Sequence, residues 1–305
     1  MKKVAWISAL LVLVALGSLL AGCAKQEAVA PNAPAPMTPP PAASALSGEI
    51  KVKGSDTLLQ LSQAWAEEFM KANPNVMISV TGGGSGTGIT ALVEGTTDIA
   101  NASRGIKDKE IAKAKEKNIE PVEHTVAYDG IAVIVNKDNP VSELSIEQLK
   151  GIFSGSTKDW SKVGGKGKIV VLSRDTSSGT HVFFKEHVLN GGNEKGTVEY
   201  GKDVLLQSSN QAIHDEVVKN PSAIGYCGLG YVDDAVKVIA VKADASTPGV
   251  QASIEAVKNK SYPIARALYQ YTTSNPSELV KALLDWEMGP EGQKFVADEG
   301  FVTLN

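Results

Sequence analysis

One local pattern recurs three times along the chain: a segment typical of a strand, a short loop of glycine and hydroxyl residues, and a segment with apolar residues at helical spacing. Alternating apolar residues predict a strand, whereas apolar residues three and four positions apart predict an amphipathic helix. Strands that alternate with helices favour an α/β fold, in which loops at the carboxyl ends of the strands form the usual ligand site. We therefore expect an α/β protein with functional residues in the loops 54–57, 82–88 and 174–180.

The first two loops offer hydroxyl groups at the start of a predicted helix. In the loop 54–57, Ser55 or Asp56 would also serve as an ordinary helix N-cap. The loop 82–88 does not fit a nucleotide-binding motif, because it lacks both the G-x-G-x-x-G spacing and the Gly-Lys-Ser/Thr ending of a P-loop. It still offers a nest of backbone N–H groups beside the hydroxyl of Ser85, which suits a small anion.

The third loop adds a positive charge. Arg174 follows a β-branched strand segment, and Ser178, Gly179 and Thr180 stand where a helix begins. Helix N-termini favour anions, and a guanidinium matches the oxygens of phosphate or carboxylate. Taken alone, the loop also fits an N-cap beside a structural ion pair. Three such loops in one chain favour convergence on a single oxyanion.

The N-terminal segment is typical of an exported lipoprotein. Two lysines precede an uncharged apolar run, and residues 1–22 are predicted to be a signal peptide that ends before Cys23. The motif Leu-Ala-Gly-Cys resembles the bacterial lipoprotein box, so we expect lipidation of Cys23 and a lipid anchor in the membrane. A membrane-spanning anchor is the alternative, because the run is about long enough. Residues 23–48 are rich in proline and alanine, which predicts an extended tether for an extracytoplasmic domain.

Two strand segments that are followed by the same residue pattern predict two crossings between domains. The apolar strand segment 125–136 and the later segment 262–271 are each closed by Asn-Pro and followed by Ser-Glu-Leu and a helical pattern. Chance similarity of two strand–helix units is the alternative. The interpretation predicts a first domain formed by residues 49–128 and 264–305, and a second formed by residues 129–263.

Other functional classes find little support in the sequence. The four histidines show no H-E-x-x-H pattern, and no serine lies in a G-x-S-x-G elbow, so no metal site, cofactor or enzymatic activity is predicted. Cys227 lies in an apolar, glycine-rich segment and is expected to be a buried small residue rather than a nucleophile. The formal net charge of -4 argues against nucleic acid as a partner.

At these loops the chain resembles the phosphate-binding proteins of bacterial ABC-type phosphate importers. The resemblance implies a two-lobed periplasmic-binding-protein fold of type II, in which two α/β domains are joined by two hinge strands and close on the ligand. It also implies a monomer that binds inorganic phosphate and delivers it to the permease subunits of an ABC transporter. The matching segments are Lys53-Gly54-Ser55-Asp56-Thr57, the loop 82–88, residues 97–104, Arg174 with Ser178-Gly179-Thr180, and Ala223-Ile224-Gly225-Tyr226.

By position, the resemblance also implies which residues bind phosphate and where this chain departs from the family. Better-known members have an aspartate at the position of Arg104, which accepts the proton of the bound phosphate, and another at the position of Thr176. Here Asp56 or Asp175 would have to be the proton acceptor, and Arg104 would add positive charge instead. A same-fold receptor for sulfate or molybdate, an envelope phosphatase or hydrolase, and a structural lipoprotein remain the alternatives. The implied phosphate-binding residues are Ser55, Asp56, Thr57, Ser85, Arg104, Arg174, Ser178, Gly179 and Thr180.

Overall fold

The computed structural model describes residues 46–305, so the predictions for the signal peptide, for Cys23 and for nearly all of the tether lie outside the described residues. The strands are Gly48–Gly54 (β1), Val76–Thr81 (β2), Ile99–Ala102 (β3), Pro121–Asn136 (β4), Glu143–Ser145 (β5), Val170–Arg174 (β6), Leu205–Gln207 (β7), Ala223–Gly228 (β8), Val236–Val238 (β9), Ala240–Lys242 (β10) and Ala265–Thr273 (β11). The α-helices are Leu59–Ala72 (α1), Ser85–Val93 (α2), Asp108–Glu116 (α3), Ile146–Phe153 (α4), Gly179–Phe184 (α5), Asn210–Lys219 (α6), Ile254–Lys258 (α7), Glu278–Met288 (α8) and Pro290–Asp298 (α9). None of these helices combines the length and the apolar character that crossing a bilayer requires.

One mixed sheet runs through the fold, in the order β2-β1-β3-β11-β4-β8-β6-β7, with β9 also paired to β4. The outer strands on each side are parallel, whereas β11 pairs antiparallel with β3 and β4. The long strand β4 pairs with β11 up to Gly130 and with β8 from Ile131 onward. The mixed α/β fold predicted from the sequence is thus confirmed.

The apolar cores lie on the two sides of the point where β4 changes its pairing from β11 to β8. One core combines buried residues of 131–264 with Val302, including Phe153, Phe184 and Tyr226. Three smaller cores use residues before 128 and after 267. We refer to β1–β3, α1–α3, α8 and α9 as the first lobe, and to β5–β10 and α4–α7 as the second lobe. The domain boundaries given above stay a prediction, because packing clusters do not locate a boundary residue.

The spacing of apolar residues in the sequence predicts α1, in which the buried residues Leu61, Trp65 and Phe69 recur every four positions. The helical pattern that follows the second Ser-Glu-Leu forms two helices, α8 and α9, rather than one. The backbone is extended at Gly289, and Pro290 begins a new helix, because proline fits the first turn of a helix but not its interior.

A carboxyl group is buried between the C-terminal helices and the sheet. Glu287 is 2% exposed and one of its oxygens has no hydrogen-bond partner within residues 46–305. Burial raises its pKa from 4.5 to about 8, although Gln270 opposes the shift. The folded state therefore binds this proton more tightly than the unfolded chain, so the contribution is complete below about pH 4.5 and is lost as the pH rises to about 8.

We expect Glu287→Gln to remove this dependence. The free energy of unfolding of the wild type should fall by about 1.4 kcal/mol per pH unit relative to the variant between those limits, because one proton is involved. Urea unfolding of both proteins across this range measures the difference. Glu278→Gln is the matched control, because the Glu278 side chain lies on the same helix and is 87% exposed. Parallel pH profiles for wild type and Glu287→Gln would contradict the assignment.

Candidate anion-binding site

The three predicted loops meet at the junction of the lobes. The hydroxyl oxygens of Thr57 and Thr180 are 3.0 Å apart. A Cβ atom built on Gly179 would lie only 2.2 Å from the Ser85 hydroxyl oxygen. The hydroxyl side chains of this cluster are each at most 2% exposed; they are Ser55, Thr57, Ser85, Ser178 and Thr180.

Strand ends and helix starts place these side chains. Ser55 directly follows β1, and its hydroxyl accepts the Thr57 N–H at 3.3 Å. Gly84 precedes α2 with a φ of 88°, a conformation that L side chains rarely adopt. Ser178 caps α5 by accepting the His181 N–H at 3.3 Å. The local signals at Ser55 and Ser178 therefore do form side-chain caps, whereas α2 has none, and the fold gathers all three loops into one site.

Arg174 has hydrogen-bond donors both with and without partners at this site. Its Nη2 donates to Asp56 Oδ2 at 2.8 Å and to the carbonyl oxygen of Ser208 at 2.9 Å. Nε and Nη1 of the same guanidinium are buried and have no hydrogen-bond partner among residues 46–305. Charged donors that are buried without an acceptor are costly, so this geometry favours an anion in front of Arg174.

The two candidate proton acceptors differ in their surroundings. Asp56 faces the cluster: Oδ2 accepts from Arg174 and Oδ1 accepts the Gly83 N–H at 3.0 Å. Asp175 is occupied within its own loop, where Oδ1 accepts the Ser177 N–H at 2.8 Å and also the Ser177 hydroxyl. The geometry therefore favours Asp56 over Asp175.

Arg104 lies at the edge of the cluster, but its charge is compensated. Nη2 and Nη1 donate to the two carboxylate oxygens of Glu110 at 2.7 and 2.8 Å. Burial raises the pKa of Glu110, but the Arg104 guanidinium outweighs it and holds that pKa below the ordinary value. The Nε of Arg104 is buried without a hydrogen-bond partner among residues 46–305, so one donor is left beside the compensated charge, and the role of Arg104 in anion binding stays a prediction.

Direct contacts hold the lobes together around the cluster. The Gly86 N–H donates to the Ser177 carbonyl at 3.1 Å, and the Ser177 hydroxyl donates to the Gly83 carbonyl at 3.1 Å. Tyr231 from the second lobe donates its hydroxyl to the Asp56 carbonyl at 2.6 Å. A ligand among these groups would be enclosed by both lobes.

Three residues of this site, Ser103, Asp129 and Arg266, were not predicted as site residues from the sequence. Ser103 connects the hydroxyls of Ser55 and Ser85, and Arg266 forms a buried ion pair with Asp129. A signal for Arg266 was available, because Arg104, Arg174 and Arg266 are the only arginines in the chain. All three are buried. The signal for Asp129 was a carboxylate just before the apolar run 131–135 of β4.

Comparisons with known proteins agree with this architecture. The model described as PBP superfamily domain matches residues 39–291, which places the chain in that superfamily. Curated relatives named phosphate-binding protein PstS include those of Pseudomonas aeruginosa and Bacillus subtilis. The first is 32% identical over 310 aligned positions, covering 96% of this chain and 94% of the relative. The second is 35% identical over 260 positions, covering 85% and 81%.

A solved structure from Clostridium perfringens is similar over its whole length. It is described as a putative phosphate ABC transporter substrate-binding protein with bound phosphate. It has a TM-score of 0.75 and 33% identity, and the match covers 85% of this chain and 100% of that one. The chain therefore belongs to the PstS family of the PBP superfamily, as the resemblance predicted.

Proposed function

We propose that this protein captures inorganic phosphate outside the cytoplasmic membrane and delivers it to the permease subunits of an ABC transporter. The observation that carries the proposal is the buried guanidinium of Arg174, whose Nε and Nη1 have no hydrogen-bond partner among the described residues. Relatives named phosphate-binding protein, and a relative solved with bound phosphate, support the choice of ligand.

Binding would require no covalent chemistry. The guanidinium and the surrounding hydroxyl and backbone N–H groups donate hydrogen bonds to phosphate oxygens, and closure of the two lobes about β4 and β11 excludes water. The predicted lobes, 49–128 with 264–305 and 129–263, would move as units, and the protein would act as a monomeric receptor rather than an enzyme.

Titration calorimetry with phosphate, sulfate and molybdate tests the proposal. We expect heat with phosphate, and weaker or no binding of the other two anions. Equal affinities for phosphate and sulfate would contradict the phosphate specificity. The absence of heat with all three anions would contradict the site itself.

We expect Asp56 to provide the discrimination against sulfate. At neutral pH phosphate carries a proton that Asp56 can accept, whereas sulfate leaves the carboxylate facing another anion. Asp56→Asn should lower the ratio of phosphate to sulfate affinity by about tenfold or more, because one charge-assisted hydrogen bond is involved. Asp175→Asn, measured in parallel, should keep the ratio. The reverse result would assign proton acceptance to Asp175.

We propose further that Cys23 is lipidated and that residues 23–48 tether the receptor to a membrane surface. This proposal rests on the sequence alone, namely the apolar run that ends at the Leu-Ala-Gly-Cys motif. Mass spectrometry of the membrane-extracted protein should find an acylated N-terminal cysteine, and Cys23→Ser should release the protein from membranes. An unmodified Cys23 in the exported protein would contradict the anchor.

A further inference from the structure

A buried ion pair joins the two crossing strands directly beneath the candidate site. Asp129 on β4 and Arg266 on β11 are cross-strand neighbours. Asp129 Oδ2 accepts from Arg266 Nη2 at 2.7 Å and from Nε at 3.1 Å, while Oδ1 accepts the Leu229 N–H at 3.0 Å. Unlike Arg174, Arg266 has a hydrogen-bond partner for each of its three guanidinium nitrogens, so it is not available as the counter-ion of a bound anion. Its position beside the site calls for a different role.

The same guanidinium reaches two loops of the first lobe. Nη1 donates to the carbonyl oxygen of Ser103 at 3.0 Å, and Nη2 donates to the hydroxyl oxygen of Thr57 at 3.3 Å. Ser103 in turn accepts the Ser55 hydroxyl at 2.9 Å and donates its N–H to the Ser85 hydroxyl oxygen at 3.0 Å. A planar guanidinium can hold such divergent acceptors in fixed geometry, which a lysine ammonium cannot.

These contacts limit where the Thr57 hydroxyl proton can point. A guanidinium has donors and no acceptor, so Thr57 Oγ1 must accept from Arg266. The single proton of the Thr57 hydroxyl is then directed elsewhere, toward Thr180 Oγ1 at 3.0 Å or toward a ligand oxygen in the cluster. Ser85 is constrained in the same way by the Ser103 N–H.

We propose that Arg266, held in place by Asp129, is a positioning residue. It orients the Thr57 hydroxyl as a hydrogen-bond donor toward the bound anion. The proposal rests on the phosphate-binding function proposed above and deepens it. With one of its two lone pairs occupied by Arg266, the Thr57 hydroxyl favours donating to an unprotonated ligand oxygen over accepting the proton of phosphate. That proton is then left to Asp56, on the Arg174 side of the cluster.

Four charged groups lie in the network of contacts around Thr57. Asp129 and Arg266 belong to the crossing strands, Asp56 to its own loop and Arg174 to the second lobe. Burial lowers the pKa of Arg266 and Arg174 lowers it further, although Asp129 opposes both. Asp56 and Arg174 are retained in every variant of the test, so comparisons between variants isolate Arg266.

Phosphate calorimetry of the wild type and of the double variant Asp129→Asn/Arg266→Gln, each with and without Thr57→Val, tests the proposal. The double variant removes both charges at once, so that no lone buried charge is left, and thermal unfolding verifies that it is folded. In the wild type, Thr57→Val should weaken binding about tenfold or more. In the double variant its effect should shrink to about twofold, because the hydroxyl is no longer held as a donor.

A second measurement separates positioning from a merely structural role. Without Arg266, both lone pairs of the Thr57 hydroxyl are free to accept a hydrogen bond from a protonated ligand oxygen. The affinity for monobasic relative to dibasic phosphate should then rise several-fold, as measured by titrations below and above the second ionisation of phosphate. Arg266→Lys keeps a positive charge beside Asp129 but lacks the planar guanidinium. It should therefore also reduce the effect of Thr57→Val and raise the relative affinity for monobasic phosphate, even if the double variant is unstable.

Two outcomes would overturn different claims. An unchanged effect of Thr57→Val, together with an unchanged pH ratio in the Arg266 variants, would remove the positioning role and leave phosphate binding intact. A wild type that gives no heat with phosphate would instead overturn the proposed function on which this inference rests.

Discussion

Arg174→Ala is expected to weaken phosphate binding by about 10²- to 10⁴-fold. The side chain is 1% exposed, and its Nε and Nη1 have no partner among the residues that the structure describes. Two charge-assisted hydrogen bonds from these atoms would contribute about 3–6 kcal/mol, and every 1.4 kcal/mol corresponds to about a tenfold change in affinity. The loss would be compounded by Asp56, whose carboxylate would face the anion without its partner. Calorimetry or competition with a labelled phosphate at fixed ionic strength measures the change.

Two controls show whether charge or geometry is responsible. Arg174→Lys keeps a positive charge but not the planar fork, so we expect it to recover only part of the affinity. Lys158→Ala removes a positive charge from the same lobe at a side chain that is 63% exposed, and it should bind phosphate as the wild type does. Wild-type affinity in Arg174→Ala would remove the central residue of the proposed site.

The loops of the site could be predicted because each carries its own local signal. Strand-to-helix junctions contain Ser55, Ser85 and Ser178. Glycine and hydroxyl residues are favoured at such junctions because they suit the start of a helix. Three such junctions on strands of one sheet indicated a shared edge. Local signals were therefore sufficient to predict the fold class and the loops that contain Ser55, Ser85 and Ser178.

The rest of the site depends on pairings between distant segments. Thr57 and Arg266 are separated by 209 positions, and no local pattern links them. Asp56 and Asp175 are chemically equivalent in the sequence, and only the folded geometry turns one toward Arg174 and the other toward Ser177. Sequence alone can list such candidates, but the tertiary fold decides between them.

Gly179→Ala is expected to block closure without destabilising either lobe. The φ of Gly179 is not in the left-handed region, so alanine can adopt the same backbone. Its Cβ, however, would lie 2.2 Å from the Ser85 hydroxyl oxygen and 2.6 Å from that of Ser103, both in the opposite lobe. The Ser103 N–H holds the Ser85 hydroxyl in place, so the simplest relief is for the lobes to separate.

The expected result is a protein that is folded but binds poorly. Gly→Ala within a helix contributes about 0.5–1 kcal/mol of stability, so thermal unfolding should be unchanged or slightly higher. Phosphate affinity should fall by about 100-fold or more, because a separated cleft loses at least two charge-assisted hydrogen bonds from one lobe. X-ray scattering should find that phosphate reduces the radius of gyration of the wild type but not of Gly179→Ala. Gly105→Ala is the matched control, since a Cβ there meets nothing within 4 Å and its φ is not positive. If Gly179→Ala closed on phosphate like this control, the contact between Gly179 and Ser85 would not limit closure, and the two lobes would have to meet the ligand in a different arrangement.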